Sequence, residues 1–325
     1  MNIDGAKILV TGGCGLIGSS TIDQLLADYS PAQIVIFDNL TRGSLDNVSS
    51  ALADERVKLV RGDICDLDAV RKEMQGMNAV IHAAAIRITA CAEKPRDAFD
   101  TMCAGTFNVV DEARLAGVEK FVASSSASIY GQADDFPTRE DHHPYNDDTW
   151  YGASKTMLEG LLRSYNAMYD MQYVALRYFN VYGPRMDIYG KYTEVLIRWM
   201  ERIAAGQPPI IFGDGLQTMD FVYIDDVARS NVLALASDVS GEAFNVARGE
   251  ETSLRELAET LLKIMDSNLD IEFGPERSVS PVSRRLADTS KAEQQLGFRA
   301  AVSLEDGLAR LVKWWQQTRA AAEEA

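Results

Sequence analysis

The segment KILVTGGCGLIG, residues 7–18, decides the fold of this chain. A short apolar run ends in glycines spaced Gly-x-x-Gly-x-x-Gly, at Gly12, Gly15 and Gly18, and a helical pattern runs from Leu16 to Asp28. Glycine permits a tight turn and close approach of the backbone to a ligand, and a helix N-terminus offers free N–H groups to a pyrophosphate. The segment therefore predicts a strand, a phosphate-binding turn and a helix, which open a dinucleotide-binding fold.

An acidic residue follows at the spacing that such a fold requires. A second apolar run, residues 33–37, ends at Asp38, twenty residues after Gly18. A carboxylate at this point accepts hydrogen bonds from both ribose hydroxyls and repels a 2′-phosphate. The sequence therefore favours NAD over NADP as the cofactor.

Apolar runs and helical segments continue to alternate after Asp38. Further strands are predicted at residues 57–60, 79–82, 120–123 and 174–176, and helices at 67–75 and 94–116. Strands that alternate with helices build a parallel, doubly wound sheet, and ligands bind beyond the C-terminal ends of its strands. Residues at these ends are Gly12, Asp38, Asp63, Ala83 and Ser124.

The rest of the chain predicts a second, smaller part. Its segments are a loop at 187–192, a helix at 193–205, a strand at 208–212, a helix capped by Asp225 that ends near 237, a strand at 244–247 and a helix opened by the capping box Ser253-x-x-Glu256. We expect an α/β protein with a Rossmann doubly wound parallel sheet and a smaller, discontinuous α/β substrate domain. The NAD-binding domain comprises residues 1–177 plus about 214–240, and the substrate domain about 178–213 and 241–325.

Composition narrows the possible partners. The net charge of −16 argues against nucleic acid, because a phosphate backbone needs a basic surface. No apolar run reaches about 18 residues, and no signal-peptide pattern precedes the first strand, so we expect a cytoplasmic protein without a membrane span. The four cysteines lack metal-ligand spacing, and we expect reduced, mostly buried thiols. Adjacent residues His142 and His143 are interpreted as a surface loop, so no metal site is predicted.

The pattern Tyr151-x-x-x-Lys155 carries the candidate chemistry. On a helix these two side chains share one face, and a nearby ammonium lowers the pKa of a phenol. A serine from the segment Ser124-Ser125-Ser126 could pass the proton of a substrate to the tyrosine. The pattern alone is weak, since a solvated i,i+4 pair has the same spacing, but the dinucleotide-binding signals agree with it.

With these residues in view, the chain resembles the extended short-chain dehydrogenase/reductase family, and within it the nucleotide-sugar 4-epimerases. The matching segments are Thr11–Gly18, Asp38–Leu40, Gly62-Asp63, His82–Ala85, Ser124–Gly131, Tyr151–Lys155, Arg177–Arg185, Gly213–Val227 and Ala287–Lys291. The resemblance implies that Ser126 is the catalytic hydroxyl and Tyr151 the general base. It also implies that Lys155 holds the nicotinamide ribose and lowers the tyrosine pKa, that Tyr178 lies beside the nicotinamide, and that Asn180 lies at the sugar diphosphate.

The resemblance implies further contacts for each ligand. The expected NAD contacts are Gly12, Gly15, Leu16, Ile17, Gly18, Asp38, Asn39, Leu40, Gly43, Asp63, Ile64, Ala83, Ala84, Ala85, Ser124, Tyr151, Lys155 and Tyr178. The expected substrate contacts are Arg87, Ser126, Asn180, Arg185, Phe212 and Arg284.

One position separates the chemistries of this family. In relatives that remove water or carbon dioxide, an acid stands two residues after the catalytic hydroxyl, where this chain has Ser128. Simple epimerisation at C4 through a 4-keto intermediate is therefore favoured over 4,6-dehydration or decarboxylation. A non-catalytic NAD-binding scaffold is a third reading, and the intact Ser126, Tyr151 and Lys155 count against it.

The chain also departs from the family pattern. Met102 replaces a usual asparagine, and Met219 replaces an arginine that contacts the nucleotide diphosphate in relatives. The nucleotide is therefore open, although a UDP-sugar such as UDP-glucose or UDP-galactose, their N-acetyl forms or UDP-glucuronate is expected. Arg87 follows a strand end, could face the sugar, and would suit a sugar carboxylate.

An apolar stripe on the helix of Tyr151 has two equally good readings. Met157, Leu158, Leu161 and Leu162 recur at helical spacing. They predict either ordinary core packing or a homodimer seam shared with the helix at 98–110.

Overall fold

The structure is a computed structural model that describes residues 1–188, 194–275 and 282–324. Its strands are β1 (Lys7–Thr11), β2 (Gln33–Asp38), β3 (Val57–Arg61), β4 (Ala79–His82), β5 (Lys120–Ser126), β6 (Tyr173–Tyr178), β7 (Asn180–Tyr182), β8 (Ile210–Phe212), β9 (Thr218–Met219), β10 (Phe221–Tyr223), β11 (Glu242–Val246), β12 (Thr252–Ser253) and β13 (Glu272–Gly274).

Helices flank these strands along the whole chain. They are α1 (Leu16–Asp28), α2 (Leu67–Met74), α3 (Ile88–Glu93), α4 (Pro95–Ala98), α5 (Thr106–Leu115), α6 (Trp150–Tyr169), α7 (Val195–Ala204), α8 (Ile224–Ala236), α9 (Leu254–Ile264), α10 (Ser290–Leu296) and α11 (Leu304–Glu324). A π-helical segment, Phe99–Gly105, joins α4 to α5. No helix in the described parts of the chain combines the length and apolar character needed to cross a membrane.

Seven parallel strands form the central sheet in the order β11–β6–β5–β4–β1–β2–β3. Successive residues of β1 point to opposite faces, so Ile8 and Val10 join a core with α1 and α8, while Leu9 joins one with α2, α5 and α6. Burial on both faces requires the continuous apolar strands seen in the sequence. The predicted α/β fold with a Rossmann doubly wound parallel sheet is confirmed.

The order of strands places a crevice above β1. The chain moves from β1 to β2 and β3 on one side and from β4 to β5 and β6 on the other. The carboxyl ends of β1 and β4 therefore diverge into connections on opposite sides, which is where ligands bind in open α/β sheets.

Short strand pairs build the smaller part beside the sheet. β7 pairs with β10, β8 with β13 and β9 with β12, so segments distant in sequence meet in each pair. β11 returns to the large sheet and pairs with β6. The predicted division into domains remains a prediction, but residues 242–246 lie in the large sheet, although the predicted boundary places them in the substrate domain.

Several predicted bounds change in the structure. The helix predicted at 94–116 is divided into α4, the π-helical segment and α5. Tyr223 is the N-cap of α8, whereas the predicted cap Asp225 lies inside the first turn. The strand predicted at 208–212 begins only at Ile210, after two prolines that cannot donate to a ladder.

Two other predictions are confirmed only in part. Asp187 and Ile188 of the predicted loop lie among the described residues, while residues 189–192 of that loop and the first residue of the helix predicted at 193–205 lie outside them. The cysteines are free and three are buried, but Cys65 is exposed.

Candidate active site

A cleft of about 1970 Å³ opens at the carboxyl ends of the central strands. One wall comes from the glycine turn, the loop after β2 and the ends of β3 and β4, and the other from the segments around β7 and β8. Typical small-molecule pockets measure about 300–1,000 Å³. The cleft is therefore large enough for a dinucleotide and a second ligand side by side.

Two positions of the glycine turn have no room for a side chain. Gly12 has a φ of +67°, and a Cβ atom there would lie 2.7 Å from the backbone of Ala84. A Cβ at Gly18 would lie 2.5 Å from the carbonyl oxygen of Gly12. Helix α1 begins at Leu16 with Gly15 as N-cap, and none of the described side chains caps it. The first-turn N–H groups of α1 thus lie along the cleft, in an arrangement that fits a pyrophosphate.

Backbone hydrogen bonds fix the predicted ribose acid. Asp38 is buried, and its two carboxylate oxygens accept hydrogen bonds from the backbone N–H groups of Cys14, at 2.9 Å, and Leu40, at 2.8 Å. Leu40 itself does not line the cleft, whereas Asp38 and Gly43 do. The carboxylate keeps further acceptor positions for ribose hydroxyls.

Asp63 forms a second polar point on the same wall. Its carboxylate accepts hydrogen bonds from the Asn39 side chain at 2.9 Å and from the backbone N–H of Cys65 at 2.9 Å. Burial alone would raise the pKa of Asp63, but these hydrogen bonds bring its pKa below the ordinary value. Asn39, Asp63 and Ile64 all line the cleft, as expected for cofactor contacts.

His82 supports the floor of the cleft from below. One ring nitrogen lies 2.8 Å from the Thr11 hydroxyl and the other 3.1 Å from the Thr106 hydroxyl, so the ring connects β1 to α5. Burial, with a smaller contribution from the charge of Lys155, lowers the pKa of His82 to about 3. The ring is therefore neutral, and it holds in place the strand that ends in Ala83, Ala84 and Ala85.

The three predicted catalytic residues come together at the cleft. Tyr151 and Lys155 share one face of α6, whose N-cap Thr149 accepts a hydrogen bond from Gly152. The Lys155 Nζ donates to the carbonyl oxygen of Ser124 at 2.6 Å and lies 5.6 Å from the centre of the Tyr151 ring. The Ser126 hydroxyl is in hydrogen-bond contact with the phenol of Tyr151. Ser124 and Lys155 themselves stand behind the residues that line the cleft.

Burial controls the protonation of this pair. It raises the pKa of Tyr151 to about 12, although the hydrogen bond with Ser126 works in the opposite direction. It lowers the pKa of Lys155 to about 8, against the effects of Cys91 and Glu159. In the protein alone, the loss of hydration thus outweighs the Ser126 hydrogen bond and the charge of Arg42, which both lower the pKa of Tyr151. That Lys155 makes the phenol more acidic stays a prediction.

A buried hydrogen-bond network anchors α6 to the sheet. Glu159 accepts a hydrogen bond from the Ser125 hydroxyl at 2.5 Å and two from the Arg177 guanidinium, at 2.9 and 2.6 Å. Arg177 also donates to the Tyr130 hydroxyl at 2.8 Å, and Tyr130 donates to Asn245 at 2.6 Å. The sequence signal for this network is weak: Glu159 follows Lys155 by four residues and so shares its face of the helix.

The predicted substrate residues divide into two groups. Arg87, Ser126, Asn180, Arg185 and Phe212 line the cleft. Arg284 does not, because its guanidinium makes two hydrogen bonds with Glu251, at 2.6 and 2.7 Å, and lies over the Phe136 ring. The expectation that Arg284 contacts the substrate is not supported by this placement.

Hydrogen bonds hold the side chains of two other predicted ligand contacts, Tyr178 and Asn180. Tyr178 donates from its hydroxyl to Asn231 at 2.8 Å, and burial raises the pKa of its phenol. Asn180 donates its side-chain amide to the carbonyl oxygen of Asp220 at 3.0 Å, so its amide oxygen remains for a ligand. Both side chains are therefore presented to the cleft in one orientation.

In each of two arginines on the cleft wall, one terminal guanidinium nitrogen contacts a carboxylate and the other has no partner among the described residues. Arg87 Nη2 lies 3.3 Å from Glu194 Oε1, and Arg185 Nη2 donates to Asp23 Oδ2 at 2.6 Å. The Nη1 atoms of both residues are buried without a hydrogen-bond partner in the described chain. Glu194 and Arg42 also line this wall, and neither is singled out by a sequence motif.

The loop after Gly131 brings three potential metal ligands close together. Side-chain atoms of Asp134, His142 and His143 all lie within 4.8 Å of one another. Adjacent histidines can converge here because the segment is a loop and not a strand. However, His142 Nε2 already accepts the backbone N–H of Asp134 at 3.1 Å, and Nδ1 lies 2.7 Å from the His143 carbonyl oxygen. Both nitrogens of His142 are thus already in polar contacts within the loop, and the absence of a metal site stays a prediction.

Comparisons with known proteins agree with this geometry. Residues 8–247 match the model of the NAD dependent epimerase/dehydratase family. The UDP-glucose 4-epimerase of Mycolicibacterium smegmatis is 36% identical over 313 residues, which cover 95% of this chain and 98% of that protein. The relatives also include UDP-sugar decarboxylases and dTDP-glucose 4,6-dehydratases.

Solved structures show the same fold with ligands in place. The UDP-glucose 4-epimerase of Thermotoga maritima with UDP-glucose has a TM-score of 0.89 and 32% identity, covering 96% of this chain and 99% of that one. The UDP-glucuronic acid 4-epimerase of Bacillus cereus, in complex with UDP-glucuronic acid and NAD, has a TM-score of 0.87 and 30% identity, covering 96% of this chain and 99% of that one. The resemblance to the nucleotide-sugar epimerases of the extended short-chain dehydrogenase/reductase type is confirmed, and this chain belongs to the NAD dependent epimerase/dehydratase family.

Proposed function

We propose that this protein is an NAD-dependent nucleotide-sugar 4-epimerase. The observation that carries the proposal is the convergence of Ser126, Tyr151 and Lys155 beside the glycine turn, in a cleft with room for two ligands. Relatives and solved neighbours that are named as 4-epimerases support the reaction type. NAD is the cofactor of the family, and the glycine turn and Asp38 fit it.

The catalytic residues would manage the proton of the C4 hydroxyl. Tyr151 accepts that proton, directly or through the Ser126 hydroxyl, as the hydroxyl becomes a ketone, and returns it at the end. Bound NAD supplies the chemistry of accepting the C4 hydride and giving it back to the opposite face. Because burial disfavours the phenolate of Tyr151, positive charge from Lys155 and the cofactor ring is needed to stabilise it. Lys155, fixed on Ser124, would keep its ammonium near the ribose and the phenol.

Decarboxylation and 4,6-dehydration are the alternatives on this fold. Both are disfavoured by Ser128, which lines the cleft where an acid would be needed. The backbone N–H of Ser128 donates to the Ser126 hydroxyl oxygen at 3.1 Å, so this residue orients the catalytic serine instead. A non-catalytic scaffold has no physical need for the arrangement around Tyr151.

The wall of the cleft around β7 and β8 would determine which nucleotide and which sugar bind. Met219 lies half-buried on that wall, at the position where relatives carry an arginine for the diphosphate. Asn180 and Arg185 remain as polar contacts, so we propose a UDP-sugar, from UDP-glucose and UDP-galactose, their N-acetyl forms or UDP-glucuronate. A cytoplasmic location remains a prediction.

A second copy of the chain is proposed as the partner. Phe99, Phe107 and Trp150 are 44%, 44% and 41% exposed on the side of the molecule formed by the π-helical segment, α5 and α6. Of the predicted stripe, Leu158 and Leu162 belong to the core, whereas Met157 and Leu161 are only partly buried. Leu158 and Leu162 thus serve ordinary core packing, and the partly buried Met157 and Leu161 support the proposal of a homodimer seam.

A panel of nucleotide sugars tests the proposed reaction. The purified protein would be incubated with UDP-, dTDP-, GDP- and CDP-sugars, with UDP-glucuronate among them, and the products would be identified by NMR and mass spectrometry. We expect inversion at C4 without a change of mass, and tightly held NAD in the protein. Loss of water or carbon dioxide from the substrate would instead establish one of the alternatives.

A further inference from the structure

Glu194 covers Arg87 on the wall of the cleft. The Arg87 side chain is 14% exposed and the Glu194 side chain 52%, with 3.3 Å between Nη2 and Oε1. The other terminal nitrogen of Arg87 is buried without a partner in the described chain. A ligand entering the cleft therefore meets the carboxylate of Glu194 before it meets the guanidinium of Arg87.

This ion pair lies beside the reacting centre. Glu194 and Arg42 both interact electrostatically with Tyr151, whose phenol marks the position of the substrate C4 hydroxyl. Arg42 in turn interacts with Arg87, Asp187 and Glu194. The cluster thus combines two guanidinium groups with two carboxylates, and the cationic charge at this point is balanced by the chain itself.

The geometry of the sugar brings its C6 group to this wall. C6 is attached to C5, the direct neighbour of C4. When the keto sugar turns over between the two hydride transfers, its C5–C6 edge and its C2–C3 edge exchange places. The same wall therefore meets C6 in one pose and the C2–C3 hydroxyl side in the other. A carboxylate acceptor suits hydroxyls on both edges, but it repels a carboxylate at C6.

We propose that Glu194 is a specificity-determining residue, held in position by Arg87, that restricts the substrate to nucleotide sugars uncharged at C6. This inference rests on the proposed epimerase function. It replaces the expectation that Arg87 binds a sugar carboxylate, because the chain supplies that carboxylate itself. The fold alone does not exclude uronates, since the Bacillus cereus neighbour was solved with UDP-glucuronic acid.

The affinities of two matched ligands test the inference. UDP-glucose and UDP-glucuronate differ only at C6, and their Kd values would be measured by calorimetry on the NAD-loaded protein. The variants are Glu194→Gln, which keeps the shape and removes the charge, and Glu201→Gln, at an exposed residue outside the cleft on α7, the helix that follows Glu194. The double variant Arg87→Gln/Glu194→Gln tests whether Arg87 is the group that Glu194 covers.

We expect the wild type to prefer UDP-glucose, and Glu194→Gln to shift the ratio of the two Kd values toward UDP-glucuronate by about tenfold or more, because a close like charge is removed. Glu201→Gln should leave the ratio unchanged, and the double variant should lose most of the shift. A wild type that prefers UDP-glucuronate, or an unchanged ratio in Glu194→Gln, would overturn the inference while the epimerase proposal stands. Failure to bind either ligand would count against both proposals.

Discussion

Tyr151 and Lys155 have been moved by burial toward their neutral forms, with pKa values of about 12 and about 8. At the scale of the residue, this makes the phenol a weak acid until positive charge is placed beside it. In the proposed mechanism, Tyr151 therefore acts as a base only when bound NAD adds its positive charge to that of Lys155.

Replacement of Tyr151 tests this role directly. Tyr151→Phe keeps the ring packing and removes the proton acceptor, so we expect kcat to fall by about 10²–10⁴-fold while NAD remains bound. Two quantities would be measured: the turnover rate with a nucleotide sugar that the wild type converts, and the NAD content of the purified variant. Tyr145→Phe, at a tyrosine that is 87% exposed, is the control. Full activity in Tyr151→Phe would contradict the mechanism.

His82 gives a second prediction at this scale, for acid stability. Its folded pKa of about 3 lies below its ordinary value of 6.5, so between these values the unfolded chain binds more protons. Stability is therefore lost as the pH falls below 6.5, by about 3 kcal/mol at pH 4.5. Urea unfolding would be measured at pH 7 and pH 4.5. The free energy of unfolding should fall less between these pH values in His82→Gln than in the wild type.

The exposed residue His143 provides the control for that comparison. His143→Gln removes a histidine without touching the buried contacts with Thr11 and Thr106. Between pH 7 and pH 4.5, the free energy of unfolding of this variant should fall by as much as that of the wild type. Equal losses in wild type and His82→Gln would show that this ring does not contribute to the acid sensitivity.

At the scale of the element, helix α6 depends on one ion pair for its position. The Glu159 and Arg177 side chains are 12% and 10% exposed, and the pair ties α6 to β5 through Ser125 and to β6 through Arg177. Breaking a buried pair by removing one partner costs far more than breaking a surface pair. The same carboxylate also raises the pKa of Lys155.

Glu159→Gln should therefore change both stability and chemistry. We expect the free energy of unfolding to drop by about 3–5 kcal/mol, because Arg177 loses its countercharge. The alkaline limb of the pH–kcat profile should move to lower pH, because the pKa of Lys155 falls. Glu305→Gln, in the exposed pair with Lys263, should cost less than about 1 kcal/mol and leave the profile unchanged. A stability loss without a shifted profile would limit Glu159 to a structural role.

Elements with local signals could be predicted from the sequence, and those set by distant contacts could not. Helix α1 has the predicted bounds, because its glycine turn and apolar spacing are local. The helix predicted at 94–116 is interrupted where the π-helical segment packs against α6. A Cβ atom at Gly105, the last residue of this segment, would lie 2.7 Å from the Ile64 side chain. The partners Glu159–Arg177 and Arg87–Glu194 are far apart in sequence, so no motif reveals them.

At the scale of the whole molecule, the homodimer seam is proposed on the side formed by the π-helical segment, α5 and α6. Phe107→Glu would place a charge in the proposed seam, and we expect light scattering to show a shift from dimer to monomer, because burying an unpaired charge is costly. Phe273→Glu is the matched control, since Phe273 is also 44% exposed but lies on β13. A wild type that is monomeric at all concentrations would exclude the seam.

The return of β11 to the edge of β6 has a practical consequence. A fragment that stops near residue 240, where a domain boundary is predicted from the sequence, would lack this strand and leave one side of β6 without its ladder. An uncovered, apolar strand edge recruits other chains. Such a truncated product should therefore accumulate as insoluble aggregate, and attempts to express the cofactor-binding half alone should extend at least through Val246.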